Sequence, residues 1–353
     1  MQRAKRSILR SSLQYQIPLL TNNDATDNLN TTVPHTLRTR KRNRGPGGVI
    51  FFGEIMNRTD LKQAKTLDEL IDILESRGLV IGDRDNARSQ LSMIGYYRLS
   101  GYSLGLRNND VFRPNVSLDE IVQIYNFDGQ LRKMMYGVIE PIEIQMRALV
   151  ANSLALKYGN IAHRDPALFI DPISHQKFIE IYEKSLWEMS RVAFVDHGLK
   201  QYGELPIWVA VETWPFGTLS KFYGNMLLDD QKVVADSFDV NETYLPGWLE
   251  CLAYIRNICA HNGRLYNRVI TKKPKLYSED KKYYSLKLFP VLIVIKKMYR
   301  GKGAWLEFSK ELAAAIQSHS EIKLSFMGFP ENWKEALEIE EYPKADPFEK
   351  TEE

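Results

Sequence analysis

Apolar positions recur at helical spacing through most of the chain from about residue 64 onward. The segment Thr66-Leu-Asp-Glu69 has the form of a capping box and predicts a helix that ends near Gly78. A second short helix is predicted after Asp83, and the longest one begins after Ser117. Its apolar residues step by three or four past Pro141, where we expect a kink. Further helices are predicted over residues 175–192, 206–224, 246–262, 284–299 and 304–318.

Strand-like alternation is nearly absent, although the apolar run 288–295 fits either a strand or a helix. The pattern therefore predicts an all-α bundle. Its predicted organisation is a basic, disordered arm at 1–60, a smaller N-terminal helical part at 61–110, the main helical domain at 111–320 and an acidic C-terminal tail at 321–353.

Composition agrees with a globular protein, since 44% of the 353 residues are apolar and 26% are charged. The longest apolar run falls far short of the roughly 20 residues of a membrane span, and the N-terminus lacks the apolar stretch of a signal peptide. Cys251 and Cys259 lie eight residues apart on one predicted helix, about 12 Å, beyond disulfide reach. We therefore expect a cytoplasmic protein with free thiols, no membrane contact, no metal site and no cofactor.

Charge is uneven along the chain. The net charge is +3, yet residues 1–50 hold nine Lys and Arg against two acidic residues, so the rest of the chain is mildly acidic. The basic arm fits a tether for nucleic acid. The alternative, which we favour, is a solvated tail or a coding start placed upstream of Met56.

The most informative chemistry lies on the helix predicted at 246–262. At about 100° per residue, Asn257 and His261 project to one side of this helix and Arg256 lies on its flank. Ala253 and Ala260 leave room beside them for a second helix, which predicts a dimer contact. The opposite, apolar stripe is predicted to be buried and consists of Trp248, Leu252, Ile255 and Cys259.

An imidazole and a guanidinium on one helix suit the attack of an RNA 2′-hydroxyl on the neighbouring phosphate. His261 would transfer the proton, and Arg256, about 7.5 Å away along the axis, would stabilise charge on the phosphate. Asn257 is one turn before His261 and is predicted to orient its ring by a hydrogen bond. One helix supplies one histidine, whereas cleavage needs a base and an acid, so two copies of the chain are expected to meet.

The segment after the motif is basic, with no Asp or Glu between Glu250 and Glu279. Asn262-Gly263 is a predicted helix C-cap. The basic run is interpreted as an RNA-binding surface or, alternatively, as a solvated edge. The RNA-binding candidates are Asn262, Arg264, Asn267, Arg268, Lys272 and Lys273.

Arg256-Asn257-x-x-x-His261 resembles the R-x4–6-H motif of HEPN domains. More broadly, residues 64–300 resemble the AbiD/AbiF abortive-infection family of bacterial phage-defence proteins. The blocks that carry this resemblance are Arg77-Gly-Leu, Ile94 to Tyr102, Tyr125-x-Phe-Asp128-x-x-Leu-Arg132, Ile139-Glu-x-x-Glu143-x-x-x-Arg147, Trp208-x-x-x-Glu212, Phe216-Gly-x-Leu-Ser220 and Ile255 to Asn267.

The resemblance implies a HEPN-like helical fold, a homodimer, and a metal-independent endoribonuclease that acts as a toxin and halts growth of an infected cell. It makes Glu212 and Arg147 candidates for supporting Arg256, although the sequence alone favours Glu212 as a surface or capping acid. A restraining antitoxin or RNA is a further candidate partner. The first 60 residues depart from the family pattern.

Other interpretations compete with this one. Glu140 and Glu143 are one turn apart, like a pair of catalytic carboxylates, but Glu143 and Arg147 form an ideal i,i+4 ion pair. Tyr97, Arg98 and Tyr102 are suited either to stacking on bases or to core packing. Arg191 and His197 have similar spacing without a basic run and are interpreted as structural. The alternative function is a non-catalytic module that binds RNA or a partner, and the third is a pure scaffold.

Overall fold

The computed structural model describes residues 62–299 and 302–339, and their fold is all-α, as predicted. The helices are α1 (Leu67–Ser76), α2 (Arg84–Ile94), α3 (Tyr96–Tyr102), α4 (Leu118–Tyr158), α5 (Pro172–Glu188), α6 (Ala193–Tyr202), α7 (Ile207–Ala210), α8 (Phe216–Asn225), α9 (Leu228–Asp236), α10 (Leu245–Ala260), α11 (Phe289–Met298), α12 (Lys302–Gln317) and α13 (Trp333–Ala336). Short 3₁₀ turns lie at Ala162–Arg164, Pro166–Leu168, Val211–Thr213, Ser278–Tyr283 and Leu324–Met327. The strands β1 (Arg107–Asn108) and β2 (Val111–Phe112) pair antiparallel.

The 41-residue helix α4 is the centre of the fold, and α3, α7, α9, α10 and α12 pack against it. The Ser117 hydroxyl caps its first turn by accepting the Glu120 amide at 3.1 Å. The helix continues through Pro141. Its apolar residues are buried on several sides, because helices cover it from several directions.

The first two helices form where their sequence signals predict them, and α3, which was not predicted, follows directly. Thr66 and Glu69 form the capping box of α1, with each side chain bonded to the other residue's backbone amide. The helices α1 to α3 share one continuous hydrophobic core with α4 and the later helices. The N-terminal helical part is therefore joined to the main domain by its core and is not a separate layer.

The ambiguous run 288–295 is helical and belongs to α11, whose residues from Phe289 to Ile295 are buried. A helix buried on all sides has no polar face, so its sequence shows no amphipathic period. The predicted helix 206–224 is divided into α7, a 3₁₀ turn and α8, because Pro215 stands where the backbone must leave the helix. The short helices α6 and α9 were not predicted.

The C-terminal segment differs from the predicted acidic tail over residues 321–339. Met327, Phe329, Trp333 and Leu337 are buried there, and the Trp305 indole N–H donates a hydrogen bond to the Leu337 carbonyl at 2.9 Å. These apolar side chains hold the segment against the core despite the surrounding charges. Residues 340–353 and the predicted basic arm at 1–60 lie outside the described residues.

Within residues 62–299 and 302–339, no helix combines the length and the apolar character that crossing a membrane requires.

Candidate functional site

Helix α10 presents the predicted motif on its exposed side. The stripe of Trp248, Leu252, Ile255 and Cys259 is buried, as predicted. Asn257 and His261 are exposed, and Arg256 is partly covered on the flank. Ala253 is also buried within the chain, so of the two alanines expected to receive a second helix only Ala260 is exposed. The predicted close-approach surface is therefore smaller than the sequence pattern suggested.

The helix ends directly at the motif. Asn262 adopts a left-handed conformation with φ of 54°. The amide of Gly263 donates to the Ile258 carbonyl at 2.7 Å, and the amide of Asn262 donates to the Cys259 carbonyl at 3.2 Å. These two bonds define a Schellman motif and confirm the predicted C-cap. His261 is the capping residue, so its side chain projects from the last turn into solvent.

A buried carboxylate, Asp128 on α4, fixes the chain just after this cap. One of its oxygens accepts the Leu265 and Tyr266 amides at 3.0 and 2.7 Å. The other accepts the Tyr102 hydroxyl at 2.7 Å and forms an ion pair with Arg132. Burial raises the pKa of Asp128, and these hydrogen bonds oppose that shift by stabilising the ionised form. Residues from α3, α4 and the segment after α10 thus meet at one side chain.

Sequence reasoning did not assign Asp128 a role, although a signal was present. Asp128 follows Phe127 in the apolar series Ile124, Phe127 and Leu131 of α4, all of which are buried. A carboxylate on an apolar helix face is expected to have hydrogen-bond donors from elsewhere in the fold.

Arg256 is held by α4. Its Nε lies 3.1 Å from Oε2 of Glu143, at an angle unsuited to a hydrogen bond, so the contact is an ion pair. Its guanidinium carbon also lies 5.4 Å from the ring centroid of Tyr136, a cation–π distance. The Glu143 side chain is only 8% exposed, while that of Arg256 is 28% exposed. The guanidinium is therefore fixed at its base and accessible at its edge.

Glu143 also contacts Arg147 at 2.6 Å, which confirms the predicted i,i+4 pair. Arg147 in turn donates to the carbonyl of Val211. Glu212, the other residue expected to support Arg256, is exposed on the Val211–Thr213 turn. The carboxylate in contact with Arg256 belongs to Glu143 instead. Arg147 supports Arg256 only through that shared carboxylate.

The predicted hydrogen bond between Asn257 and His261 is not formed. Both side chains are exposed, and among the described residues neither side chain has a hydrogen-bond partner. The end of the helix explains this difference: His261 has φ −96° and ψ 18°, so it has left the regular geometry in which i and i+4 side chains meet. Both ring nitrogens of His261 thus face solvent.

The basic segment after the cap folds back along α10. Arg268 lies against Tyr254, with its Nε 3.3 Å from the hydroxyl. Farther along, Lys272 pairs with Glu250 at 2.8 Å, and the Lys275 carbonyl accepts the Trp248 indole at 2.7 Å. Glu250 precedes His261 by eleven residues, or about 16 Å along the axis. Lys272 is thus paired with a carboxylate at the far end of the helix.

Of the other predicted RNA-binding residues, one lies away from the motif and the rest lie close to it. Lys273 lies over the ring of Tyr284, away from the motif, at 5.5 Å. Arg264 donates to the Tyr266 carbonyl at 3.0 Å, and the Asn267 side chain accepts Lys287 at 2.9 Å. The structure thus brings Asn262, Arg264, Asn267 and Arg268 together in the turn after the helix.

Two further cations lie at this turn: Arg98, which the sequence analysis considered for base stacking or core packing, and Lys287, which it did not single out. Arg98 of α3 donates to the Asn262 carbonyl at 2.9 Å. Burial and the nearby Arg264 guanidinium lower the pKa of Lys287. A lysine whose charged form is disfavoured by another cation gains from a bound anion. Both residues are distant from the motif in sequence, which explains why spacing did not place them beside it.

A cleft of about 630 Å³ opens between α4 and the end of α10. Tyr125, Arg132, Lys133 and Tyr136 line it from α4, and Cys259 of α10 and Asn262 just beyond that helix line it from the other side. Tyr136 is the residue that also contacts Arg256, and Asn262 directly follows His261. The cleft therefore adjoins the motif. Burial raises the pKa of the Cys259 thiol to about 12, so this cysteine is not a nucleophile near neutral pH.

No group of three or more His, Cys, Asp or Glu side chains in the described part of the chain is arranged to hold a metal ion. A family model described as Abi-like protein matches residues 89–267, just over half of the chain. The match spans α4, the cleft and the whole motif. No curated protein and no solved structure matches the chain.

Proposed function

The chain belongs to the Abi-like protein family, and from this membership and the site geometry we propose that it is a HEPN-type endoribonuclease that needs no metal ion. Family membership supports a role in abortive infection, in which an infected cell stops growing and the phage cannot spread. The nuclease cleaves cellular or phage RNA to this end. We also propose a cytoplasmic location, since that is where its substrate occurs.

The observation that carries this proposal is an exposed imidazole without a hydrogen-bond partner in the described structure and an anchored guanidinium at the end of one helix, next to a cleft lined by Tyr136, which contacts Arg256, and by Asn262, which follows His261. The His261 ring nitrogens are accessible, so one of them can accept the proton of an RNA 2′-hydroxyl. That oxygen then attacks the adjacent phosphorus and the bond to the 5′-oxygen breaks. The products are a 2′,3′-cyclic phosphate and a 5′-hydroxyl. Arg256 stabilises the charge on the non-bridging oxygens.

The departing 5′-oxygen needs a proton, and a second His261 supplies it in a homodimer. The exposed residues Asn257, Ala260 and His261 form one face at the end of α10. Two copies that meet across this face bring both imidazoles to one phosphate, one as base and one as acid. Any restraining antitoxin or RNA is proposed to act by covering the same face.

The test uses purified full-length protein and RNA in the presence of EDTA. Cleavage should continue in the chelator and leave cyclic-phosphate ends. His261→Ala should lower the rate by about 10²–10⁴-fold. Arg256→Ala should lower it by about 10²–10³-fold, by analogy with the loss of one charge-stabilising donor. His197→Ala is the matched control, because His197 is also an exposed helical histidine and follows Arg191 at a spacing similar to that of the motif.

Cleavage that survives His261→Ala, or that stops in EDTA, would contradict the nuclease. The basic turn at Arg264 and Arg268 favours the second candidate, a module that binds RNA without cutting it. Under that function His261→Ala leaves binding and any growth phenotype intact. Arg264→Ala and Arg268→Ala then weaken RNA binding and reduce its salt dependence.

A further inference from the structure

We propose that the cleft between α4 and the end of α10 binds the single-stranded nucleotides next to the cleaved phosphate. This inference rests on the proposed nuclease function and assigns it a substrate-binding surface. Tyr125 and Tyr136 offer ring faces to the bases, and Lys133 binds the phosphate chain.

The position of the cleft relative to the motif supports this assignment. Tyr125, Arg132 and Tyr136 are seven and four residues apart, so they lie on one face of α4. From Tyr125 to Tyr136 this face extends about 16 Å. One end reaches Arg256 through the Tyr136 ring, and the α10 side of the cleft ends at Asn262, next to His261. A strand that follows the cleft is thereby led to both motif residues.

The side chains along the cleft have unused hydrogen-bonding capacity. Asn126, Gln130 and Lys133 are exposed, and none of them has a hydrogen-bond or ion-pair partner among the described residues. Arg132, in contrast, is already fixed by Asp128 and forms a rigid part of the wall. The amides match the donors and acceptors on base edges, and the lysine matches phosphate. The free groups therefore have the chemistry that an RNA strand requires.

The residues that line the cleft suit an RNA strand better than a protein segment. Among the described residues that line the cleft, none is acidic and none is aliphatic. A groove that receives a peptide or a helix presents apolar anchor pockets, whereas a single-strand site combines aromatic platforms with cations. The volume of about 630 Å³ lies within the range of roughly 300–1,000 Å³ typical of ligand sites. The cleft thus has both the size and the chemistry for nucleotides.

The test measures binding of a fluorescently labelled single-stranded RNA by anisotropy. Every protein carries His261→Ala so that cleavage does not consume the probe. Lys133→Glu combined with Gln130→Glu should weaken binding about tenfold or more and reduce the slope of log Kd against log salt by about one. Both positions are exposed, so the fold is preserved. The matched control is Lys232→Glu, an exposed lysine on α9, which should bind like the parent.

Crosslinking gives a second readout that does not depend on a variant. Ultraviolet crosslinking of RNA that contains 4-thiouridine, followed by peptide mass spectrometry, should label the α4 segment between Tyr125 and Tyr136. Label confined to other segments would overturn the proposal. So would unchanged affinity in the double variant, or a changed oligomeric state with unchanged affinity, which would identify the cleft as a subunit contact.

The two proposals fail separately. If the wild type does not cleave RNA but RNA binding depends on Lys133, the cleft is supported as an RNA-binding site and the nuclease proposal is contradicted. If the wild type cleaves RNA and the Lys133→Glu and Gln130→Glu double variant binds RNA as tightly as its His261→Ala parent, the nuclease proposal is supported and the cleft proposal is contradicted.

Discussion

The carboxylate of Glu143 lies 3.1 Å from Arg256, although the two residues are on different helices and 113 positions apart in the chain. The same carboxylate contacts Arg147, so one nearly buried acid fixes two arginines. The side chain that is proposed to face the phosphate is therefore oriented by α4 and not by its own helix.

Glu143→Gln should lower the cleavage rate about 10–100-fold, because Arg256 loses the charge that orients it. The effect should fall on kcat more than on KM, since α4 still lines the cleft. Because the variant also removes one partner of a buried ion pair, the free energy of unfolding should fall by no more than about 5 kcal/mol. The rate is measured well below the melting temperature of the variant.

Glu140→Gln is the matched control on the same helix, because Glu140 is exposed. Glu140→Gln should leave the cleavage rate unchanged, and it should change the free energy of unfolding by no more than about 0.5 kcal/mol. Equal kcat in Glu143→Gln and Glu140→Gln would show that Arg256 does not depend on Glu143.

Asp128→Asn should lower the free energy of unfolding by about 3–5 kcal/mol, since it leaves Arg132 as a buried charge without its partner. Urea unfolding at neutral pH measures this change. Asp119→Asn, an exposed position in the first turn of the same helix, should cost less than about 1 kcal/mol. A similar loss in both variants would mean that the Asp128 network contributes little.

Gly263→Ala should disturb the end of the motif helix. A Cβ at this position would lie 3.0 Å from Ile258 Cγ2 and 3.2 Å from the Ile258 carbonyl oxygen. The turn must shift, and we expect a loss of about 1–3 kcal/mol in stability together with reduced cleavage. Gly247→Ala on the same helix meets nothing within 4 Å and should be neutral or stabilising by up to about 1 kcal/mol. Thermal melts and rates that are alike for both variants would contradict this.

His163 should make the fold sensitive to acid. It is fully buried among aromatic rings, and neither ring nitrogen has a hydrogen-bond partner in the described structure. Burial, with smaller effects of Arg164 and His175, lowers its pKa to about 3. Below about pH 6.5 His163 is protonated in the unfolded chain but stays neutral in the folded chain. The free energy of unfolding should therefore fall by up to about 1.4 kcal/mol per pH unit between pH 6.5 and 3.

His163→Phe removes the titrating group and keeps a ring of similar size. The free energy of unfolding, measured in urea at pH 7, 6, 5 and 4, should fall less steeply in the variant than in the wild type. Measurements from pH 7 to 8 are the control, because the histidine is neutral there in both states. Parallel curves from pH 7 to 4 would contradict the assignment.

Local features of the site were predictable because they depend on neighbours in sequence. The buried stripe of α10, the exposure of Asn257 and His261, and the C-cap at Asn262 and Gly263 all follow from helix periodicity and backbone geometry. The i,i+4 pair of Glu143 and Arg147 follows for the same reason.

Contacts between distant segments were not predictable from one sequence. Spacing does not reveal that Glu143 rather than Glu212 meets Arg256, since this depends on how α4 and α10 cross. Likewise, Ala253 is small and was expected to be open, but it is buried on a helix against which both α8 and α4 pack. The buried Phe329 and Trp333 stand among charged residues, so their segment has no continuous apolar pattern.

The hydrogen bond from Tyr102 to Asp128 means that the first helices share in holding the loop beyond His261. A fragment that begins at α4 would keep every residue of the arginine–histidine motif, yet it would lose the Tyr102 hydroxyl, which donates a hydrogen bond to the buried carboxylate that holds that loop. The geometry of the motif therefore depends on the whole helical assembly. If α10 and its turn were grafted into another protein, the sequence of the motif would be kept but its geometry would not.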